Sequence, residues 1–327
     1  MTTDLRSVRR QLRRAIPGLP LADGSDSLTL EHSELPIEPP HTRACELLEG
    51  TAMLARRVAG EPVVGFGAFL DGIQASRVWY YDEGVPVVLG QVAAAIRVRI
   101  GRRLTLWRSV EESARFYVPF SHLSAGTREA LESTGLEVVD TLQGSAGDAP
   151  PHPLQLTRLA YQAVLDAREL IERNCAVEWA RSGAAPLFVD GPVPRAADQR
   201  PPRWSVGVVK SHHTLYVGTG SIKTIASLGE RERTAAFLIP SSWSDPVASW
   251  YLRVRTAPGR DPLWGLVRVE IALPPSGSQS ILTEHVDLVS RWILAERSPL
   301  ALPDGRWDRM PYGIRDVESY LRVRLQL

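Results

Sequence analysis

The chain has 327 residues, 44% hydrophobic and 23% charged, with 38 Lys and Arg against 37 Asp and Glu for a formal net charge of +1. This supplies apolar side chains for a sizeable core in one large domain or two small ones, and it means that any nucleic-acid partner must be held by a local basic surface rather than by global charge. Two distant cysteines, Cys45 and Cys175, exclude a disulfide framework and a cysteine-rich zinc site and fit a reducing, cytoplasmic setting, and no run approaches the roughly 20 apolar residues of a membrane span.

Residues 3–16 carry Leu5, Val8, Leu12 and Ile16 at helical spacing, with five arginines on the remaining surface and Pro17-Gly18 as a stop. The arginines also interrupt every apolar run, so no signal peptide is read here. The spacing predicts a basic amphipathic helix that either contacts phosphate or a partner, or is simply solvated. A proline-rich loop near 36–40 and a helix over 41–58 complete a predicted N-terminal helical extension, residues 1–60.

Residues 63–70 read as a strongly apolar strand ending in Asp71-Gly72, followed by β-structure at 77–82, 85–100 and 103–108, an antiparallel meander. A helix near 126–135, a strand around 136–141 and a polar loop over 143–153 precede the longest helical pattern, 154–181. A second apolar strand at 186–189 again ends in Asp-Gly, Asp190-Gly191. Strands follow at 204–209, 234–239, 248–256 and 263–273, then a helix at 280–297 and a helix or strand from 314 onward. Strands alternating with helices, with carboxylates at strand ends, predict an α/β fold.

The two strands that run into Asp-Gly place ionised carboxylates at a sheet rim beside residues without Cβ, where a ligand can approach the backbone. A turn after a strand explains either one alone; the pair is more informative, because neither is followed by a simple hairpin partner. A third carboxylate would let a cation be held with positions left for phosphate and water. On the helix before Asp190, Glu172 lines up with Tyr161, Leu165, Ala176 and Trp179, an apolar stripe, whereas Glu169 lines up with Gln162, Asp166 and Arg173. A carboxylate among apolar neighbours needs a compensating charge, so Glu172 is favoured over Glu169. Glu172 also reads as a helix-surface acid flanked by Arg168 and Arg173.

Four blocks, FLDG at 69–72, LFVDGPVP at 187–194 after a helix bearing Glu, VGVVKS at 206–211, and WYLRVR at 250–255 followed by GLVRVE at 265–270, resemble in order and spacing the NurA nucleases that work with HerA-type hexameric DNA translocases. The resemblance spans residue 63 to the C-terminal region. It implies an RNase H-like mixed β-sheet flanked by helices over residues 61–327, a homodimer, a HerA-like hexameric ATPase as partner, and cleavage of DNA dependent on Mn²⁺ or Mg²⁺. It also implies Asp71, Glu172 and Asp190 as metal ligands and catalytic residues, with Lys210 meeting a phosphate. The sequence departs from the family at Ile73 and at Ser319-Tyr320, where members carry a small hydroxyl residue and Ala-His. Tyr320, Asp316 or Glu318 are the replacements to consider for the histidine, and a silent subunit that binds DNA or a translocase is the alternative function.

Arginines recur at period two in 97–99, 253–255 and 322–324, which on a strand aligns two guanidinium groups for phosphate contacts or lays them on a solvated face. Arg253 and Arg255 are the candidate nucleic-acid contacts. Of His212 and His213, adjacent on a strand, at most one can reach a site by Lys210.

Overall fold

Long runs of β-branched, aromatic and small apolar residues draw most of the chain into one sheet. The structure is a computed structural model that describes residues 5–16, 39–101, 103–142, 152–182, 185–194, 204–217, 221–241, 245–256, 261–273, 279–297 and 312–323. The first half comprises α1 (Leu5–Ala15), β1 (His41–Ala44), β2 (Glu46–Leu47), β3 (Ala55–Arg57), β4 (Ala68–Asp82), β5 (Val85–Ile100), β6 (Arg103–Leu106), β7 (Glu111–Val118), α2 (Ala125–Glu132) and β8 (Glu137–Asp140). The second half comprises α3 (Pro153–Arg181), β9 (Leu187–Asp190), β10 (Ser205–Val209), β11 (Thr214–Val217), α4 (Ser221–Ala226), β12 (Glu232–Thr234), β13 (Phe237–Ile239), β14 (Val247–Arg253), β15 (Leu266–Ala272), α5 (Gln279–Glu296) and α6 (Tyr312–Arg322). Among the described residues no helix is long and apolar enough to cross a membrane.

Thirteen of these strands form a mixed sheet in the order β2-β13-β14-β15-β10-β9-β4-β5-β7-β8, with β12 against β14 and β3, and β6 against β5; β1 and β11 pair separately. Its centre is the hairpin of β4 and β5, closed by Glu83 and Gly84, both at positive φ as a tight two-residue hairpin turn requires. Parallel to β4 runs β9, and parallel to β9 runs β10. Successive side chains alternate between two covered faces. Leu70, Ile96, Leu187 and Val189 pack on Cys175, Ala176 and Trp179 of α3, while Phe69, Ala95, Phe188 and Val208 pack on Val286 and Val289 of α5 and Ile314 and Val317 of α6. Burial on both faces explains why β5 reads as an unbroken apolar run.

Two expectations are corrected. Residues 41–58 are not helical: they hold β1, β2 and β3, of which β2 and β3 pair with β13 and β12. The first sixty residues are therefore not simply a helical extension. The segment is fixed by the fully buried Glu49, whose carboxylate accepts from Arg233 at 2.7 and 3.1 Å, from Thr283 at 2.6 Å and from the Ala236 N–H at 2.7 Å. These long-range partners override the local helical pattern. The strand expected over 63–70 instead begins at Ala68 and continues through Asp71-Gly72, because those residues pair with Ala95 and Ala94 of β5.

Helix α6 closes over β4 with Gly313 on the Phe69 ring; a Cβ there would stand 2.3 Å from two ring carbons. Gly313→Ala should therefore lower stability by about 1–3 kcal/mol through overpacking, although alanine gains roughly 1 kcal/mol of helix propensity. Urea unfolding checks this, and a raised midpoint would contradict the seating of α6.

Candidate active site

Parallel pairing of β4 with β9 brings the two aspartates together. Ala68, Phe69 and Leu70 stand opposite Leu187, Phe188 and Val189, so the next step in register sets Asp71 beside Asp190 on strands about 4.7–4.9 Å apart. Both carboxylates follow the parity of Phe69 and Phe188 and emerge on the α6 side. Asp71 is 7% exposed, and its Oδ1 accepts from the Gly72 N–H at 2.9 Å. Asp190 accepts from Lys210 Nζ at 2.5 Å. Lys210 directly follows β10, whose Val208 lies opposite Asp190.

The loop after Asp190 is held tightly. Gly191 takes φ +121°, a region L side chains rarely adopt, and the backbone of residues 191–193 rests on Gly207, where a Cβ would come within 2.4 Å of the Val193 N. Buried Glu270 accepts from that same Val193 N–H at 3.1 Å. Backbone contact, rather than side-chain packing, thus sets where Asp190 leaves its strand.

Glu172 reaches the same rim from the other face of the sheet. It lies 8% exposed on α3, in line with buried Tyr161, Ala176 and Trp179, while Glu169 is exposed. Its carboxylate rests on Gly72: a Cβ at that position would stand 2.2 Å from Oε1. Arg168, one turn earlier, donates from Nη1 to Glu172 Oε1 at 2.5 Å and from Nε to Gln74 Oε1 at 3.0 Å, tying helix to strand. Sequence reasoning treated Arg168 only as a flank of Glu172, although the four-residue spacing was the signal of a pair.

Burial, then the charge of Asp190, holds the Asp71 carboxyl well above the ordinary carboxylate range; Lys210 opposes this, and Glu172 and Glu318 add to it. Burial pushes Glu172 up to about 7, opposed by Arg168 and reinforced by Glu169 and Asp190. Glu318, from α6, is thus the C-terminal acid whose charge reaches Asp71, while its carboxylate accepts from Arg322 at 2.9 and 2.7 Å. Asp316 and Tyr320 are engaged elsewhere, Asp316 accepting from Arg97 at 2.7 Å and the Tyr320 ring lying 4.7 Å beneath the same guanidinium.

The donor chemistry at this rim fits a hard divalent cation, since it is all carboxylate oxygen and no cation among the described residues bonds Asp71. As the side chains stand, no group of three His, Cys, Asp or Glu among the described residues is arranged to hold an ion. Lys210 occupies Asp190 and Arg168 occupies Glu172, so a cation must compete with both.

The expected nucleic-acid contacts are corrected. Arg253 is 3% exposed, and its guanidinium donates to the carbonyls of Leu228 (3.1 Å), Ala226 (3.1 Å), Pro262 (2.7 Å) and Trp264. It binds the end of α4 to the β14–β15 connection and has no face left for phosphate. Arg255 is half-buried and donates to the Arg297 carbonyl at 2.5 Å. His212 turns to the Leu266 carbonyl at 3.1 Å. Compared with known proteins, the chain matches no family model and no curated protein significantly.

The raised carboxyl of Glu172 sets a pH dependence. The folded state keeps a proton that the unfolded state loses between about 4.5 and 7, so stability falls as pH rises through that window and stays reduced above it. Asp71 acts in the same direction. Glu172→Gln should therefore match wild type near pH 4 and exceed it at pH 8 by up to about 3 kcal/mol in metal-free buffer. Denaturant unfolding at both pH values measures this; a gap that does not widen with pH contradicts a Glu172 whose burial outweighs its pairing with Arg168.

Proposed function

We propose that this chain is a divalent-metal-dependent nuclease that hydrolyses phosphodiester bonds in DNA, with Asp71, Glu172 and Asp190 as the residues that would hold Mn²⁺ or Mg²⁺. The observation that carries the reading is the parallel pairing that sets Asp71 beside Asp190 next to Lys210, with Glu172 resting on the adjoining Gly72 from the opposite face of the sheet. The strand arrangement supports an RNase H-like core: β4, β5 and β7 form an antiparallel meander, and β9 and β10 add parallel to β4 after the crossover helix α3.

When bound, a divalent cation at this rim would supply Lewis acidity toward a phosphoryl oxygen and an attacking water. The chain's own residues do the rest. Asp71, held by its own strand, and Asp190, fixed by the backbone seat on Gly207, present carboxylates in register. Arg168 holds Glu172 over Gly72. Lys210 offers an ammonium to a phosphate drawn to the rim, as a point charge with three donors. By the same reading the chain works as a homodimer in the cytoplasm with a HerA-like hexameric translocase, which would feed it DNA.

A second reading has an observation of its own. Lys210 and Arg168 already neutralise two of the three acids, and the C-terminal block has Tyr320 where the resemblance calls for histidine. These features favour a subunit that binds DNA or a translocase without cutting.

Cleavage of single-stranded and double-stranded DNA with Mn²⁺, with Mg²⁺ and with chelator separates the two readings. Asp71→Asn and Asp190→Asn should each reduce metal-dependent cleavage at least about a hundredfold while DNA binding is retained. Wild type that binds DNA but never cuts it supports the silent subunit; equal cutting by Asp190→Asn would end the nuclease reading.

A further inference from the structure

The segment that leads from β3 toward β4, residues 58–63, is held by arginines. Arg231 stands just before β12 at φ +66°, a region that non-glycine residues seldom occupy. Both its backbone groups are engaged: its N–H donates to the Arg253 carbonyl and its carbonyl accepts from the Val58 N–H, each at 3.0 Å. Its Nη2 donates to the Gly60 carbonyl at 3.0 Å and pairs with the Glu61 carboxylate at 3.1 Å. Arg291, from α5, donates from Nε to the Glu61 carbonyl at 2.8 Å, and its guanidinium lies against Gly60, where a Cβ would stand 3.3 Å from Cζ. Arg57, the last residue of β3, enters the segment from the other end.

Three guanidinium groups therefore act on one carboxylate. Arg231 above all, and then the charges of Arg57 and Arg291, hold the Glu61 carboxyl below the ordinary carboxylate range. Glu61 is nevertheless loosely kept, because its side chain is 82% exposed and an ion pair so open to water contributes little. The arginines also have capacity to spare. Arg57 is exposed and makes no hydrogen bond or ion pair among the described residues, and the Nε of Arg231 has no acceptor there. The cluster thus offers more donors than its own carboxylate uses.

We propose that Arg57, Arg231 and Arg291 form a phosphate-binding site in which the Glu61 carboxylate holds the place of the ligand until a phosphate displaces it. Guanidinium groups match the oxygens of a phosphate as well as those of a carboxylate, and a phosphate can be shared among several of them. A carboxylate from another molecule gains nothing over Glu61, which is already tethered beside the arginines. Phosphate is therefore the anion that this arrangement suits. The site shares no residue with Asp71, Glu172, Asp190 or Lys210, so it goes beyond the cleavage reading and does not depend on it. An inorganic phosphate ion and a nucleic-acid backbone both present the group it takes.

Calorimetric titration of the full chain at low ionic strength, with inorganic phosphate and separately with a single-stranded oligothymidylate, tests the site. Glu61→Gln removes the competing charge and keeps the side chain's shape, so it should tighten binding about threefold, whereas Arg57→Ala should weaken it about fivefold. Both positions are exposed, and the thermal midpoint should not move. Glu132→Gln, at an exposed acid of α2 remote from β3 and β12, should change neither affinity. Oligonucleotide binding that responds to both substitutions, with a salt slope lowered by about one in Arg57→Ala, assigns the site to a nucleic-acid backbone. The same responses with inorganic phosphate alone assign it to a free phosphate group. Failure of wild type and Glu61→Gln to bind either ligand, indifference to Arg57→Ala, or equal tightening by Glu132→Gln overturns the proposal. A chain that shows these responses but never cuts DNA keeps the site and loses the nuclease reading instead.

Discussion

Two carboxylates on adjacent parallel strands, in register and pointing the same way, are the constraint around which the centre of this structure is arranged. Strand spacing alone keeps Asp71 and Asp190 a few ångströms apart, too close for both to be ionised and dry without compensation. The chain relieves the repulsion from three directions. Lys210 pairs with Asp190 from the next parallel strand, Arg168 pairs with Glu172 from above the sheet, and Asp71 is left to hold its proton to unusually high pH. None of these solutions is complete. A buried acid that remains unmatched costs stability, and proteins keep such costs mainly where the charge is used.

Absence of side chains is as informative here as their presence. Gly72 lets a helix-borne carboxylate rest directly on strand β4, Gly207 lets the loop after Asp190 lie on strand β10, and Gly313 lets α6 sit on Phe69. Each gap fixes one wall of the site by a close approach that a Cβ would prevent. The site is accordingly built from the sheet outward, with α3 covering one face and α6 the other, and with an acid delivered from each.

Much of this was legible in the sequence, for reasons that can be named. Strong periodicity located β5, α3, β9 and α5 almost to the residue, since their burial is one-sided or complete and unbroken. The apolar stripe around Glu172 separated it from Glu169, and the structure brings Asp71, Glu172, Asp190 and Lys210 to one rim. What local pattern could not supply was partnership at long range. Residues 41–58 look helical until Glu49 is seen to bond Arg233, almost two hundred residues away, and the end of the first strand looks like a turn until β5 pairs alongside it. Arg168 was overlooked because a pair four residues apart on a helix is commonplace; its importance comes from the burial of its partner.

The arginines mark where charge pattern misleads. Period-two arginines on a strand suit paired phosphates, yet here they are spent on the protein itself. Arg99 grips Glu296 through two bonds of 2.7 and 2.8 Å, Arg97 holds Asp316, Arg233 is buried with Glu49 and Asp287, and Arg253 gathers backbone carbonyls. Guanidinium groups serve such positions well because their planar fork satisfies several acceptors at once with little loss of order. An arginine that already satisfies four or five buried acceptors cannot also neutralise a phosphate without leaving those acceptors bare, at a cost of about 1–3 kcal/mol for each. The arginines that do stand at the surface include Arg10 and Arg14, exposed on α1, which has no acidic residue among its eleven, and Arg108, which pairs with the equally exposed Glu178 at 2.9 Å.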